Sequence, residues 1–253
     1  MKSVKKSNAK PVIKILKIVG AALGIIIFIA AIFVSVLTVT EYKPQDSEDL
    51  TVTYNDQQAT QDDSFPTDTN KLSQQKELSI GDNISVVTWN IGYGSLGANA
   101  DFFMDGGDSV YTSTKEQVLT NMSAITEELN SLSPDIILLQ EVDEKSSRSH
   151  KINEASIIKD ELPSYNSSYA YNYKTLMVPY PIPPIGQVAS GIMTLSTYPV
   201  STACRIKLPC PFSYPIRLCN LKRCLIVSKV PIDGTNKELV IANCLLYTSP
   251  SPR

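Results

Sequence analysis

The sequence predicts an α/β domain behind a single membrane-crossing helix, and three observations carry that reading. Ile18–Val39 runs for 22 residues without a charge. A β-branched run at 84–89 and an apolar run at 135–139 enclose a segment of helical periodicity, the spacing of one strand–helix–strand unit. Short apolar runs at 191–195, 224–230 and 239–242 then add a second, more antiparallel region.

At about 1.5 Å per residue, residues 18–39 make roughly 33 Å of helix, enough for a hydrocarbon core of about 30 Å. A cleaved signal peptide would have an apolar region of about 7–15 residues ending in a small-residue site. Ser35–Tyr42 offers no such site, so an uncleaved anchor is expected. Six lysines (Lys2, Lys5, Lys6, Lys10, Lys14 and Lys17) precede the span, whereas all 25 acidic residues lie at or beyond Glu41. The positive-inside rule then makes 1–17 a basic cytoplasmic segment and puts the rest outside a plasma membrane, single-pass. No later apolar stretch is long enough to return the chain.

Residues 40–79 are rich in Asp, Gln, Thr, Ser and Asn and nearly empty of large apolar side chains. A flexible stalk is expected there, with a reach of roughly 35 Å as a random coil. The folded domain should occupy 80–243. Ile84–Trp89 reads as its first strand. Ser113 and Glu116 match a capping box, and Val118, Met122, Ile125, Leu129 and Leu132 line one helical face. Pro134 ends that helix before the buried strand Asp135–Leu139. A second helix is expected at Glu154–Leu162, an irregular Tyr- and Pro-rich stretch at 169–185, and a turn at Asp233–Gly234.

The body beyond the span is net acidic, a poor match for long nucleic-acid backbones, though not for a small phosphorylated molecule or a lipid headgroup. Five cysteines (Cys204, Cys210, Cys219, Cys224 and Cys244) fall in the last quarter with no C-x-x-C pair, which argues against a zinc ribbon. Outside a cell the first four allow disulfides, in three connectivities that sequence does not separate; buried thiols are the alternative.

Two short segments carry the chemistry: Val86-Val87-Thr88-Trp89-Asn90-Ile91-Gly92 and Leu138-Leu139-Gln140-Glu141-Val142-Asp143. Each sits where a strand meets a loop, the edge at which α/β sheets bind ligands. A parallel crossover should bring Asn90 and Glu141 out together, and a carboxylate beside an amide suits an oxygen-preferring cation such as Mg²⁺. Taken singly, Asn90 could be a turn residue and Glu141 a solvated strand end.

These segments resemble the W-N-I and L-Q-E-V signatures of the endonuclease/exonuclease/phosphatase superfamily. The likeness runs from about Ser85 to Asn243, and its form is that of a membrane-anchored, bacterial-type member. It implies the N-terminal part of a two-sheet α/β sandwich, with Glu141 and Asn90 at a catalytic Mg²⁺ or Mn²⁺, Glu141 binding it and Asn90 orienting the phosphate and nearby acidic groups. Asp143 and Arg148 are similar to the family's D-x-x-x-x-R-S, which makes Arg148 a candidate substrate contact; a surface residue or ion-pair partner is the plainer reading. Tyr171-Asn172-Tyr173-Lys174 either lines a pocket or packs as a loop, and His150, the only histidine, reads as a solvated side chain.

The likeness stops after Asn243, where the family's histidine, G-D-x-N and S-D-H motifs would follow. The domain is therefore expected to be partial, with 244–253 a non-native tail and the fragment inactive. The parent is expected to be a monomeric, membrane-tethered, metal-dependent hydrolase of phosphate esters, whether in lipid headgroups, small metabolites or nucleic acid. The alternative is a surface interaction module that keeps the fold without catalysis.

Overall fold

The structure, a computed structural model, describes residues 9–54, 76–97, 100–103 and 106–245. The first eight residues, most of the expected stalk and all but the first two residues of the expected tail lie outside these, and Cys244 of that tail is paired in the last strand. Two units form, one from residue 1 to Glu41 and one from Tyr42 onward.

The first unit is helix α1 (Ala9–Val39). Its apolar part, Ile13–Val39, has a mean hydropathy of 2.9 and is long and apolar enough to cross a membrane. The hydroxyls of Ser35 and Thr38 donate to carbonyls four residues back, at 2.7 Å each. Each polar group is thus satisfied within the helix, as an apolar surrounding requires.

The second unit is a mixed α/β domain with two four-stranded sheets. Strand β2 (Val86–Asn90), helix α2 (Lys115–Leu132) and strand β3 (Ile136–Asp143) form the expected crossover, with β2 and β3 parallel. Helix α3 (Glu154–Glu161) and the long hairpin β4 (Asn166–Val178) and β5 (Gly186–Ser196) complete the first sheet, ordered β2-β3-β5-β4. The second sheet, β1-β6-β7-β8, comprises Ser47–Asp49, Thr202–Lys207, Cys224–Pro231 and Glu238–Cys244, all antiparallel.

One face of the first sheet packs Ile137, Leu139, Val142 and Met193 against Val118, Met122 and Leu129 of α2 and Ile158 of α3. Its other face meets the second sheet, where Ile136 and Leu138 pack with Ala203, Val230 and Ile241. Asn243 fastens this seam. Buried between the sheets, it donates through Nδ2 to the carbonyls of Leu139 (3.2 Å) and Met193 (2.9 Å), and its Oδ1 accepts from Gln140 Nε2 at 2.9 Å.

Several expectations need correction. The cap of α2 is Thr114, whose side chain accepts from Gln117 N; Ser113 Oγ instead donates to the Ser95 carbonyl. Residues 169–178 are strand, not loop. Tyr and Thr favour a pleated surface, and the inward positions of β4 are Ser168, Ala170 and Asn172, whose burial no apolar alternation announces. The stalk is absent at both described ends. Glu48 pairs with Arg205, Thr53 bridges Ser167, and Leu50, Val52 and Leu78 pack into the core. Backbone ladders need no apolar side chain, so a polar composition concealed an edge strand. All five cysteines are free thiols.

Candidate active site

Parallel pairing sets Asn90 opposite Gln140 at the carboxyl end of the first sheet. The next residue, Glu141, leaves the ladder. Gln140 pairs with Ile192 and Val142 with Gly191, so Glu141 is the extra residue of a β-bulge, with φ at +56°. The bulge explains its direction. Ile137 and Leu139 face the helices at a spacing of two, and Val142 takes the next inward place at a spacing of three. Without the extra residue the Glu141 carboxylate would point into that core. A left-handed backbone at a non-glycine residue costs about 1–2 kcal/mol, and packing on both sides holds it.

Glu141 and Asn90 meet as the sequence predicts. Asn90 Nδ2 donates to Glu141 Oε1 at 3.0 Å, and Asn90 Oδ1 accepts from Gly92 N, also at 3.0 Å. The amide is therefore oriented by the turn that follows β2 and presents its NH₂ to the carboxylate. Glu141 Oε2 has no hydrogen-bond partner among the described residues and is partly exposed. Among the described residues, no three His, Cys, Asp or Glu side chains group as metal ligands. The donor set fits a hard divalent cation that takes one carboxylate and keeps a shell of water.

Behind this pair lies a buried charged cluster. Asp143 accepts two hydrogen bonds from Arg148, Nε at 3.1 Å and a terminal nitrogen at 3.0 Å, and one from Ser149 Oγ at 2.9 Å. The guanidinium also donates to Ser190 Oγ and lies 3.7 Å above the Tyr93 ring. Burial opposes its charge, but the Asp143 carboxylate outweighs burial and holds Arg148 more firmly protonated than usual. The sequence offered Arg148 as a substrate contact; its guanidinium meets Asp143, Ser190 and Tyr93, which is the ion-pair reading.

Glu154, the first residue of α3, is fully buried beside this pair. Its Oε2 accepts the Asp143 N–H at 2.8 Å, while Oε1 has no partner among the described residues. Burial, then the Asp143 carboxylate, raise the Glu154 pKa well above the ordinary carboxyl value. Sequence reasoning missed it, because an acid in a helix's first turn has an ordinary surface explanation.

The remaining candidates are structural. His150 Nε2 lies 2.7 Å from the Ser113 carbonyl oxygen. Tyr171 donates to Glu144, Asn172 is buried and its carbonyl accepts from Lys222 N, and Tyr173 donates to the Cys219 carbonyl. Burial raises Tyr173 to about 12, with Arg148 pulling the other way.

The sequence profile of the Endonuclease/Exonuclease/phosphatase family matches residues 87–242. No curated protein matched the chain. Solved structures that resemble it include an endonuclease/exonuclease/phosphatase from Beutenbergia cavernae, 19% identical, covering 66% of this chain and 39% of its own, with a TM-score of 0.43. ANGEL2, a 2',3'-cyclic phosphatase, is 17% identical, with 65% and 41% covered and a TM-score of 0.43. The human Nocturnin catalytic domain is 17% identical, with 68% and 52% covered and a TM-score of 0.40. The chain thus spans about half or less of the length of these proteins.

Proposed function

The chain belongs to the Endonuclease/Exonuclease/phosphatase family, and from that membership we propose that its parent is a membrane-tethered, divalent-metal-dependent hydrolase of phosphate esters. The observation that carries this reading is the Asn90–Glu141 hydrogen bond at the open end of a parallel strand pair. Glu141 Oε2 would hold Mg²⁺ or Mn²⁺, which supplies Lewis-acid charge for a phosphoryl oxygen. Asn90 acts as a positioning residue, since its Nδ2 fixes the carboxylate and the Gly92 N–H fixes its Oδ1. The bulge aims Glu141 away from the helix-side core. Arg148 and Asp143 neutralise one another behind the site. His150 is engaged by Ser113, and this reading assigns no general base among the described residues.

The tether is α1, with the basic N-terminus in the cytoplasm and the domain outside, on the positive-inside argument. The substrate would be a phosphate ester of a lipid headgroup, a small metabolite or nucleic acid, acted on by a monomer.

The test is Mg²⁺-dependent release of p-nitrophenol from bis-p-nitrophenyl phosphate by the full-length parent. Glu141→Ala should abolish it. Equal rates in the two proteins, at measurable activity, would remove Glu141 from the mechanism, and no activity in either favours the non-catalytic module.

A further inference from the structure

Two loops of the second unit expose the same tripeptide. Tyr180-Pro181-Ile182 lies at the tip of the β4–β5 hairpin, and Tyr214-Pro215-Ile216 leads into the short 3-10 turn Ile216–Cys219. All four large side chains are exposed, Tyr180 at 69% and Ile182 at 94%. The second loop is fixed to the end of β4. Thr175 Oγ1 donates to the Leu218 carbonyl, Tyr173 to that of Cys219, and Cys219 Sγ to that of Met177. Leu176, also exposed, adds to the same end. Tyrosine, proline and isoleucine side by side in loops cost solubility and add nothing to the core, so exposed loops of this kind mark a contact surface.

The direction of the strands places this surface. β5 is antiparallel to both β3 and β4, so β4 runs the same way as β3 and its carboxyl end lies at the edge that carries Glu141. The Phe103 ring, in the loop after β2, stands 6.3 Å from Tyr180. The chain enters the domain beside the middle of β4, at the level of Gly191 and Val142. Tyr42 packs edge-on to Tyr171 at 6.0 Å, with the Lys174 ammonium 5.8 Å from its ring. Tyr42 follows Val39, the last residue of α1, by three positions, so covalent geometry limits their separation to about 10 Å. Lys145, Lys151, Lys174 and Arg217 are exposed around the same end, and Arg217 lies 5.9 Å from the Tyr214 ring.

We infer that the two Tyr-Pro-Ile loops dock on the lipid bilayer and turn the candidate active site toward phosphate esters at the membrane surface. This rests on the tether in the reading above and deepens it to one substrate class, phospholipid headgroups. Tyrosine partitions to the interface, isoleucine enters the acyl boundary, and the surrounding cations match anionic headgroups. With only three residues from Val39 to Tyr42, the point where the domain begins stays close to the end of the span.

The test uses the full-length chain in vesicles of equimolar phosphatidylcholine and phosphatidylglycerol. Ile182→Trp and Tyr214→Trp each add one tryptophan to the native Trp89, whose emission is subtracted using the unsubstituted chain. Leu132→Trp, at the far end of α2, is the control. Docking predicts a blue shift and loss of the added emission with lipids brominated near the headgroup at 182 and 214, and neither at 132. Unquenched emission at 182 and 214 in a chain that resists carbonate extraction overturns the docking and leaves the anchor. A chain that carbonate extracts overturns both. Quenching is unaffected by Glu141→Ala, so failure of the hydrolase reading is seen separately.

Discussion

Asn90 and Glu141 stand 51 residues apart in the chain and 3.0 Å apart in the fold, joined by a hydrogen bond from amide to carboxylate. The bond uses Glu141 Oε1 and leaves Oε2 for a ligand. An amide is the suitable partner, because it donates without adding charge.

That relationship makes the first prediction. Asn90→Ala removes the group that orients Glu141 but leaves an exposed position, so folding stability should change by no more than about 0.5 kcal/mol. Mn²⁺ affinity and diesterase rate should each fall about 10–100-fold, the usual loss on removing a supporting partner. Asn90→Asp should be worse than Ala, since it sets a second carboxylate against the first. Titration calorimetry with Mn²⁺ checks the order.

The crossover was legible because each of its parts has a local signal: the β-branched run before Asn90, the four-three-four-three spacing of Val118 to Leu132, and Pro134 behind it. Asn90 and Glu141 could then be brought together from topology alone. The bulge was written less openly, in the three-residue step from Leu139 to Val142 where a regular strand would step by two. β1 and β6 carried no signal. Glu48 and Arg205 pair through backbone and need no apolar pattern. Glu154 was hidden for a different reason, since its burial depends on Asp143 and Arg148 arriving from another element.

Glu154 makes the second prediction. Its pKa is raised in the folded state, so above the ordinary value of 4.5 the native state holds a proton that the unfolded state gives up. The stability this contributes is complete below pH 4.5 and declines as pH rises above it. Glu154→Gln keeps a neutral acceptor for the Asp143 N–H and should remove that decline, gaining on the native protein as pH approaches neutrality. Glu154→Ala leaves a buried donor unpaired and should cost about 1–3 kcal/mol at every pH. Urea unfolding followed by Trp89 fluorescence at several pH values separates the three. A Gln variant with an unchanged slope would falsify the raised pKa of Glu154.

Arg148 separates two readings of one residue. As a substrate contact, Arg148→Lys would raise KM and spare stability. As the partner of a fully buried Asp143, it is held by a two-pronged bond that lysine cannot reproduce. Arg148→Ala should then cost about 3–5 kcal/mol by stranding the Asp143 charge, and Arg148→Lys an intermediate amount. Thermal unfolding decides between them, with a clear fall in Tm expected for both variants.

Gly191 bears the geometry on which Glu141 depends. It pairs with Val142 on one side, just past the Glu141 bulge, and with Tyr171 on the other, where the β4 register shifts before Tyr173. Two irregularities in neighbouring strands therefore meet at this glycine. A Cβ there would lie 2.3 Å from the Ala170 carbonyl oxygen and 2.5 Å from the Tyr169 ring. Neither can yield freely: the carbonyl is backbone, and the Tyr169 hydroxyl donates to the Val142 carbonyl at 3.0 Å, within the bulged strand. Gly191→Ala should thus cost at least about 1–3 kcal/mol and displace the Tyr169 ring. Because that ring holds Val142, the Glu141 bulge should loosen with it, so Mn²⁺ affinity should fall together with Tm. A drop in Tm with unchanged Mn²⁺ affinity would mean that the bulge is set by Gln140 and Asn90 alone.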